Sequence, residues 1–207
     1  KLGTFGKDYM TNNGEFPYDV DGDGWTDIIA GEFLNKKVFW YKNPGKEGLA
    51  SGKMWEQHAF TETATQNEIC YVRDFDGDGI ADVAVRRPSN FYWYIKNSSD
   101  GELQRVQFGK NADDIPVPAD YDGDGITDIA VRRPSNQMWY ILNSSDGEIQ
   151  RINFGKQSED IPVPADYDGD GKVDVAVRRP STQLWYIKNS SDSEIQRIQF
   201  GRHAGDI

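Results

Sequence analysis

Short apolar runs separated by turn-forming residues fill most of this chain. In the segment 114–159, β-branched and aromatic runs cover 115–121, 127–134, 137–143 and 147–155. Runs of this length and composition are typical of strands, and the Ser-Ser-Asp-Gly between the last two is typical of a hairpin turn. The pattern therefore predicts four short strands in this segment.

The four-strand pattern recurs along the chain with a constant period, since Asp74, Asp120 and Asp166 are 46 residues apart. A period of ~40–50 residues is typical of propeller blades, although a β-sandwich or a linear β-solenoid would use similar strands. We therefore predict an all-β fold, a β-propeller of four four-stranded blades that form part of a larger or an assembled ring. The predicted organisation is one propeller region, 1–207, with repeats at approximately 13–67, 68–113, 114–159 and 160–205 and with 1–12 as a strand of a preceding or closing blade.

Two prolines indicate which strand lies at the edge of each blade. Pro116 and Pro118 occupy alternate positions, so their missing N–H groups point to one side. Proline is confined to edge strands because it cannot donate to a neighbouring strand. The first strand of the unit is therefore predicted to be an edge strand, such as the innermost strand of a blade.

A nine-residue loop follows the first predicted strand, with Asp at positions 1, 3, 5 and 9 and Gly at positions 4 and 6 in all four copies. Alternate carboxylates on a tightly curled loop can converge on Ca²⁺, which takes about 6–8 oxygen ligands, and glycine permits the curl. The backbone carbonyl of position 7 is a natural further ligand. We expect about four Ca²⁺ ions, one per repeat. The predicted ligands are Asp19, Asp21, Asp23, Trp25 and Asp27; Asp74, Asp76, Asp78, Ile80 and Asp82; Asp120, Asp122, Asp124, Ile126 and Asp128; and Asp166, Asp168, Asp170, Lys172 and Asp174.

The loop differs from an EF-hand, which needs an acidic residue at position 12. That position holds Ala30, Val85, Val131 or Val177, and strand-like residues surround it. A metal-free turn is the alternative, because Asp and Gly favour turns in any case. Four neighbouring carboxylates without a cation would repel one another, so we expect a metal.

The composition fits an extracellular metal-binding chain. Its 207 residues have a formal net charge of -11, which four Ca²⁺ ions would largely offset, and this acidity argues against a nucleic-acid partner. Cys70 is the single cysteine, so calcium would have to stabilise the fold where other secreted chains use disulfides. Because millimolar calcium is an extracellular condition, we expect a secreted or cell-surface protein. No apolar run is long enough to span a membrane.

The Asp-x-Asp-Gly-Asp-Gly-x-x-Asp loop, in an all-β unit that ends in Phe154-Gly155, resembles the FG-GAP/VCBS repeat family. That family includes the calcium-loop blades of integrin α-chains and many bacterial secreted proteins. The resemblance covers nearly the whole chain and implies a propeller, with the four sets of Asp residues as metal ligands. It also implies adhesion or ligand binding, and some such propellers are lectins or parts of polysaccharide lyases.

The first repeat departs from the others. Asp19 and Asp74 are 55 residues apart, and the extra length falls at 42–58, which is rich in Gly and Lys. We predict a hairpin or loop there, in a diverged blade.

Arginine pairs and Trp-Tyr pairs recur in the regular units. The arginines have two interpretations: ion pairs between blades, with loop carboxylates or Glu102, Glu148 and Glu194 as partners, or an array that grips sulfate or carboxylate groups of a polymer. We expect the tryptophans to pack in the core, and the tyrosines could stack on sugar rings. The candidate ligand-binding residues are Arg87, Arg133, Arg179, Tyr94, Tyr140 and Tyr186.

Catalysis is not expected from this sequence. His58 and His203 do not recur with the repeat, and no nucleophile or phosphate-binding motif is present. The predicted function is therefore a non-catalytic module that binds a glycan or protein at or outside the cell surface. The alternatives are part of a secreted polysaccharide-degrading enzyme and a structural protomer that assembles through open blade edges.

Overall fold

The computed structural model describes residues 12–21, 23–32, 37–62 and 70–201. Within them are four antiparallel four-stranded sheets, each formed by strands in chain order. The first contains β1 (Asn12–Tyr18), β2 (Asp27–Glu32), β3 (Lys37–Lys42) and β4 (Glu56–Glu62). The second contains β5 (Cys70–Arg73), β6 (Asp82–Arg87), β7 (Tyr92–Lys96) and β8 (Leu103–Gln107). The third contains β9 (Ile115–Pro116), β10 (Ile129–Arg133), β11 (Met138–Leu142) and β12 (Ile149–Asn153). The fourth contains β13 (Ile161–Pro162), β14 (Val175–Arg179), β15 (Leu184–Lys188) and β16 (Ile195–Gln199).

The predicted fold class, an all-β propeller of four-stranded blades, is confirmed. The chain divides into two compact units, of which one holds the first two sheets and the other the last two. The extra segment of the first blade was predicted as a hairpin or loop, but it contains a short helix, α1 (Gly45–Ala50), between β3 and β4. In the part of the chain that the structure describes, no helix has the length and apolarity needed to cross a membrane.

The burial of each strand follows its residue pattern. β11 alternates, with Trp139 and Ile141 fully buried and their neighbours half-buried, as expected of a strand with one face toward a core. β10 is instead buried at four consecutive positions, 129–132, which indicates a strand covered on both faces. β10 is therefore the most enclosed strand of this blade. The expected core packing of the recurring tryptophans is confirmed at Trp93 and Trp139, whereas Trp185 is only half-buried.

The prolines lie where their missing N–H groups do least harm. β9 is the edge strand of the third sheet, and its Pro116 pairs with Val131. β13 occupies the same edge of the fourth sheet, with Pro162 opposite Val177. The predicted edge position of the first strand is confirmed.

The Trp-Tyr pair of the first blade lies on the third strand, as in the other blades, but in a different register. Trp40 lies opposite Ile29, whereas Trp93 lies opposite Arg86. The aromatic pair is thus displaced by two residues along β3, and its Trp stacks on His58 with 4.7 Å between ring centroids. The same aromatic pair therefore occupies different register positions in different blades, and aromatic identity alone does not give the register.

Candidate functional site

Three carboxylates converge in each nine-residue loop. In every set, one ligand atom from each residue lies within 4.8 Å of the others. Two oxygens bound to one Ca²⁺ at about 2.3–2.6 Å from the ion can be at most about 5 Å apart, so this spacing and the all-oxygen donor set fit a hard cation. The four sets are Asp19, Asp21 and Asp27; Asp74, Asp76 and Asp78; Asp120, Asp122 and Asp128; and Asp166, Asp168 and Asp174. The loops therefore offer one potential metal site per repeat.

The first carboxylate of the loop organises its glycine backbone. Asp120 Oδ1 accepts a hydrogen bond from the N–H of Gly123 at 2.6 Å, and its Oδ2 accepts one from the N–H of Gly125 at 2.9 Å. Both glycines have positive φ, of 81° and 88°, which other residues adopt only with strain. The glycines at positions 4 and 6 are therefore required so that the backbone can curl around this side chain.

The last carboxylate of the loop is a buried structural element. Asp128 is fully buried, and its oxygens accept hydrogen bonds from the N–H of Tyr121 at 2.8 Å and of Ser144 at 2.7 Å. Burial raises the pKa of Asp128, although these two N–H groups oppose the shift. Burial likewise raises the pKa of Asp82, against hydrogen bonds from the N–H groups of Ser98 and Phe75. Position 9 therefore ties the loop to the turn that follows the third strand. The same two bonds reach Asp27 from Val20 and Asn43, Asp82 from Phe75 and Ser98, and Asp174 from Tyr167 and Ser190.

Two serines of that turn contact the loop, and neither was predicted from the sequence as part of the site. Ser145 Oγ donates to Asp122 Oδ2 at 2.6 Å, and Ser144 Oγ donates to Asp124 Oδ2 at 2.9 Å. The second and fourth blades repeat both bonds, through Ser98, Ser99, Ser190 and Ser191. These serines recur with the loops in the sequence, but they were taken only as turn formers.

Positions 5 and 7 have smaller roles in the described geometry. Of the position-5 residues only Asp78 belongs to a converging set, and there Asp82 is absent from the set. Elsewhere position 5 accepts from the loop itself, as where the N–H of Ile126 donates to Asp124 Oδ1 at 2.8 Å. The residue at position 7 donates its backbone N–H to the carboxylate at position 5. The ligand role predicted for its carbonyl stays a prediction.

For Arg133 and Arg179 the predicted ion-pair partners were wrong. Arg133 Nε and Nη2 donate to the two oxygens of Asp114 at 2.7 and 3.1 Å, and Arg179 makes the same bidentate pair with Asp160 at 2.7 and 2.9 Å. Burial alone would raise the pKa of Asp160, but hydrogen bonds from Arg179 and from the Gln157 N–H hold it below its ordinary value. These aspartates precede the first strand of the same blade, 19 residues before their arginines, so spacing in the sequence did not reveal them.

The other arginine of the pair binds backbone. Arg132 is fully buried and donates to the carbonyls of Gln157 and Asp160 at 3.0 and 2.8 Å. It thus connects β10 of the third blade to the segment that leads into the fourth. The interaction between blades expected of this pair is present, with carbonyls instead of carboxylates as acceptors.

Each candidate arginine also lies over its candidate tyrosine. The guanidinium carbons of Arg87, Arg133 and Arg179 are 4.5–4.6 Å from the ring centroids, a cation–π geometry. The corresponding tyrosines are Tyr94, Tyr140 and Tyr186. These rings are therefore already partly covered by a cation of the same blade.

A cavity of about 310 Å³ lies between the Arg179-Tyr186 pair of the fourth blade and the end of the third blade. Its walls include Asn153 at the end of β12 and Phe154 and Lys156 after it. Arg179, Tyr186 and Arg197 of the fourth blade also line it. Arg197 also lies over the Tyr186 ring, at 5.8 Å. Arg179 and Tyr186 were predicted from the sequence, whereas Lys156 and Arg197 were not, although both recur with the repeat, as Lys110 and Arg151.

Comparison with known proteins identifies similar sequences and folds. The sequence model of the FG-GAP-like repeat matches the chain three times, over residues 19–85, 74–131 and 120–177. No curated protein matches the chain significantly. A solved structure of an Agrocybe aegerita lectin that recognises non-reducing terminal N-acetylglucosamine is 19% identical, with a TM-score of 0.62, and the match covers 88% of this chain and 50% of the lectin. Virginiamycin B lyase from Staphylococcus aureus is 12% identical, with a TM-score of 0.50, and the match covers 94% of this chain and 59% of the lyase. The chain thus spans half of the lectin and about three fifths of the lyase, and at these identities the likeness shows the fold alone.

Proposed function

Because the chain belongs to the FG-GAP-like repeat family, we propose that it is a non-catalytic glycan-binding module whose blades are stabilised by calcium. We infer the chemical class of the ligand from the cationic cavity between the third and fourth blades. Three basic side chains line it, in a chain whose formal net charge is -11. A basic site on an acidic protein favours an anionic ligand by local charge, and we therefore propose a glycan that carries carboxylate or sulfate groups.

In this proposal calcium stabilises the fold and does not contact the glycan. The converging carboxylates would hold the ion, which supplies the positive charge that offsets their mutual repulsion. The residues around them fix the loop, because position 9 joins it to the turn after the third strand. A module with sites of this kind is suited to the calcium concentrations outside cells, so we propose a secreted or cell-surface location.

The cavity suits one sugar unit held by charge. Its volume, about 310 Å³, is at the small end of the range for ligand sites. Arg179 is already neutralised by Asp160, which leaves Lys156 and Arg197 as the groups available to pair with a ligand anion. Guanidinium groups already lie over the Tyr186 ring, so hydrogen bonding and ion pairing are expected to contribute more than stacking on the sugar.

The similar Agrocybe lectin supports the proposal at the level of the fold. That protein shows that blades of this general form can recognise a sugar. Its ligand is not transferred to this chain, since the two are only 19% identical. Our choice of an acidic glycan instead of N-acetylglucosamine depends on Lys156 and Arg197.

Affinity electrophoresis against acidic and neutral polysaccharides tests the proposal, with calcium or EDTA in the gel. We expect acidic polymers to retard the protein in calcium and retardation to fall strongly in Lys156→Gln and Arg197→Gln. Lys46→Gln, which removes the same charge from an exposed position in the first blade, is the matched control. Retardation by neutral polymers alone would contradict the anionic ligand, and retardation by no polymer would contradict glycan binding.

The non-catalytic part needs its own measurement. The retarding polymer is incubated with the protein, and its chain length and reducing ends are followed over time. We expect no change. Shortened chains or new unsaturated ends would instead assign the chain to a polysaccharide-degrading enzyme.

A further inference from the structure

The turn that supports the first metal loop differs from the other three. By strand register, Asn43 and Pro44 occupy the places of Ser98 and Ser99, because the N–H of Asn43 donates to Asp27 as that of Ser98 does to Asp82. Neither residue has a hydroxyl group. The two serine hydroxyls that donate to positions 3 and 5 elsewhere therefore have no counterpart at this turn.

A lysine ammonium takes their place. Lys42, the last residue of β3, contacts Asp21 Oδ2 and lies 3.0 Å from Asp23 Oδ2. In the third blade the corresponding Oδ2 atoms, of Asp122 and Asp124, accept from serine hydroxyls. The first loop thus pairs the same two carboxylate oxygens with a full positive charge instead of two neutral donors.

The ammonium and a metal ion would compete for one carboxylate. Asp21 belongs to the converging set of the first loop, so Lys42 contacts a residue that would also bind the ion. Lys42 is held in place by a second interaction, because its Nζ lies 5.8 Å from the centre of the Trp40 ring. A divalent ion entering this loop would meet both a positive charge and an acceptor that is already in use.

We infer that Lys42 is a built-in counter-ion of the first loop. It keeps this loop folded without metal and makes its affinity for calcium lower than that of the other three loops. The inference depends on the proposed calcium binding and deepens it, since it divides the four loops into three that need a metal and one that has an internal cation.

Terbium luminescence can observe the first loop separately, because its position 7 is Trp25 while the others have Ile80, Ile126 and Lys172. Tb³⁺ replaces Ca²⁺ at oxygen sites and emits when a nearby indole is excited. Excitation where only tryptophan absorbs, compared between the native chain and Trp25→Phe, isolates the signal of this loop. Calorimetric titration with Ca²⁺ counts all sites on the same protein.

In the native chain we expect calorimetry to find three similar sites, and the Trp25-dependent emission to saturate only at higher metal concentration. Lys42→Gln should increase the affinity of the first loop by about tenfold, since it removes a positive charge from direct contact with a ligand. Lys46→Gln, which lowers the net charge equally from α1, should change it little. A second readout is thermal unfolding: in EDTA Lys42→Gln should melt below Lys46→Gln, and saturating calcium should abolish that difference.

The possible outcomes separate this inference from the proposed function. Four equal sites in the native chain, or equal affinities in Lys42→Gln and Lys46→Gln, would overturn the counter-ion role of Lys42 and leave calcium binding intact. Absence of binding at every loop would overturn both.

Discussion

The nine-residue loops and the Arg-Asp pairs of the last two blades both concentrate charge, but they neutralise it differently. At the pairs, each aspartate meets one guanidinium in a bidentate geometry, as where Arg179 binds Asp160. In the loops of the last three blades, three carboxylates converge, and their described partners are backbone N–H groups and serine hydroxyls, which are neutral. The pair is complete within the chain, whereas the loop retains like charges that a cation would offset.

Because of this difference, the stability of the loop and the stability of the Arg-Asp pair in one blade should respond to different solution conditions. A loop that needs an external cation makes stability depend on calcium, and a buried pair makes it depend on both partners and on pH. The first loop lies between the two cases, because Lys42 gives it an internal cation. Calcium removal, charge deletion and acid should therefore affect different regions.

Chelation should have the largest effect. An ion present at 100 times the Kd of its site adds about 2.7 kcal/mol to the free energy of unfolding. For three such sites we expect EDTA to lower Tm by at least about 15 °C, measured by scanning calorimetry. Titration with Mg²⁺ is the control, since it favours octahedral sites with bound water and should restore little of the loss. A Tm equal in calcium and EDTA would show that the loops do not bind the ion.

Arg179→Gln should have the next largest effect and should not depend on calcium. The Asp160 side chain is 0% exposed and that of Arg179 is 11% exposed, so the variant leaves a buried carboxylate without its cation. Breaking a buried pair costs about 3–5 kcal/mol. We expect that loss in urea unfolding both in calcium and in EDTA, with partial recovery in the double variant that also carries Asp160→Asn.

The control for this pair is Arg197→Gln, which removes an exposed arginine near the same tyrosine. Its free energy of unfolding should change by less than about 1 kcal/mol. If the two variants lose equal stability, the Arg179-Asp160 pair has no special structural role.

Asp128→Ala should have a smaller effect that persists in EDTA. The variant leaves the buried N–H of Tyr121 and the part-buried N–H of Ser144 without their acceptor. A buried group left unpaired costs about 1–3 kcal/mol, and water can reach the part-buried one, so we expect a loss in that range. Glu148→Ala, at an exposed position of the same blade, is the matched control. Urea unfolding in EDTA separates the structural role of position 9 from metal binding, and equal losses in the two variants would contradict that role.

The features predicted from sequence were those set by local chemistry. Pro116 indicated an edge strand because proline lacks an N–H group, and the Asp-Gly loops indicated convergence because their spacing alone brings the carboxylates together. The sequence could not show which oxygens the backbone would occupy, so the burial of Asp128 went unpredicted. Contacts distant in the chain were also missed, as between Arg133 and Asp114, because a fold must form before such residues meet.

Recurrence contained more information than was used. Ser144 and Ser145 repeat with the loops they contact, and Lys156 and Arg197 repeat with the pocket arginine and tyrosine. The departure at Lys42 was equally visible, as a lysine before Asn-Pro where the other units have Asn before Ser-Ser. What the sequence did not give was the reach of that lysine to Asp21, which depends on where β3 ends relative to the loop.

The pH dependence should be the smallest effect, and it distinguishes the pair from the loops. Burial alone would raise the pKa of Asp160, but the hydrogen bonds and charge of Arg179, with the Gln157 N–H and the charge of Arg132, together hold it below its ordinary value. A carboxylate with a lowered pKa in the folded state contributes stability that is fully present above its unfolded pKa, about 3.9, and is lost as pH falls through the folded value. The stability difference between the native chain and Arg179→Gln, measured by urea unfolding in EDTA, should therefore shrink as the solution becomes more acidic than about pH 4. The difference between the native chain and Glu148→Ala should not follow that course. A difference for Arg179→Gln that stays constant into acid would mean that the guanidinium stabilises the blade through packing, and not through the charge of Asp160.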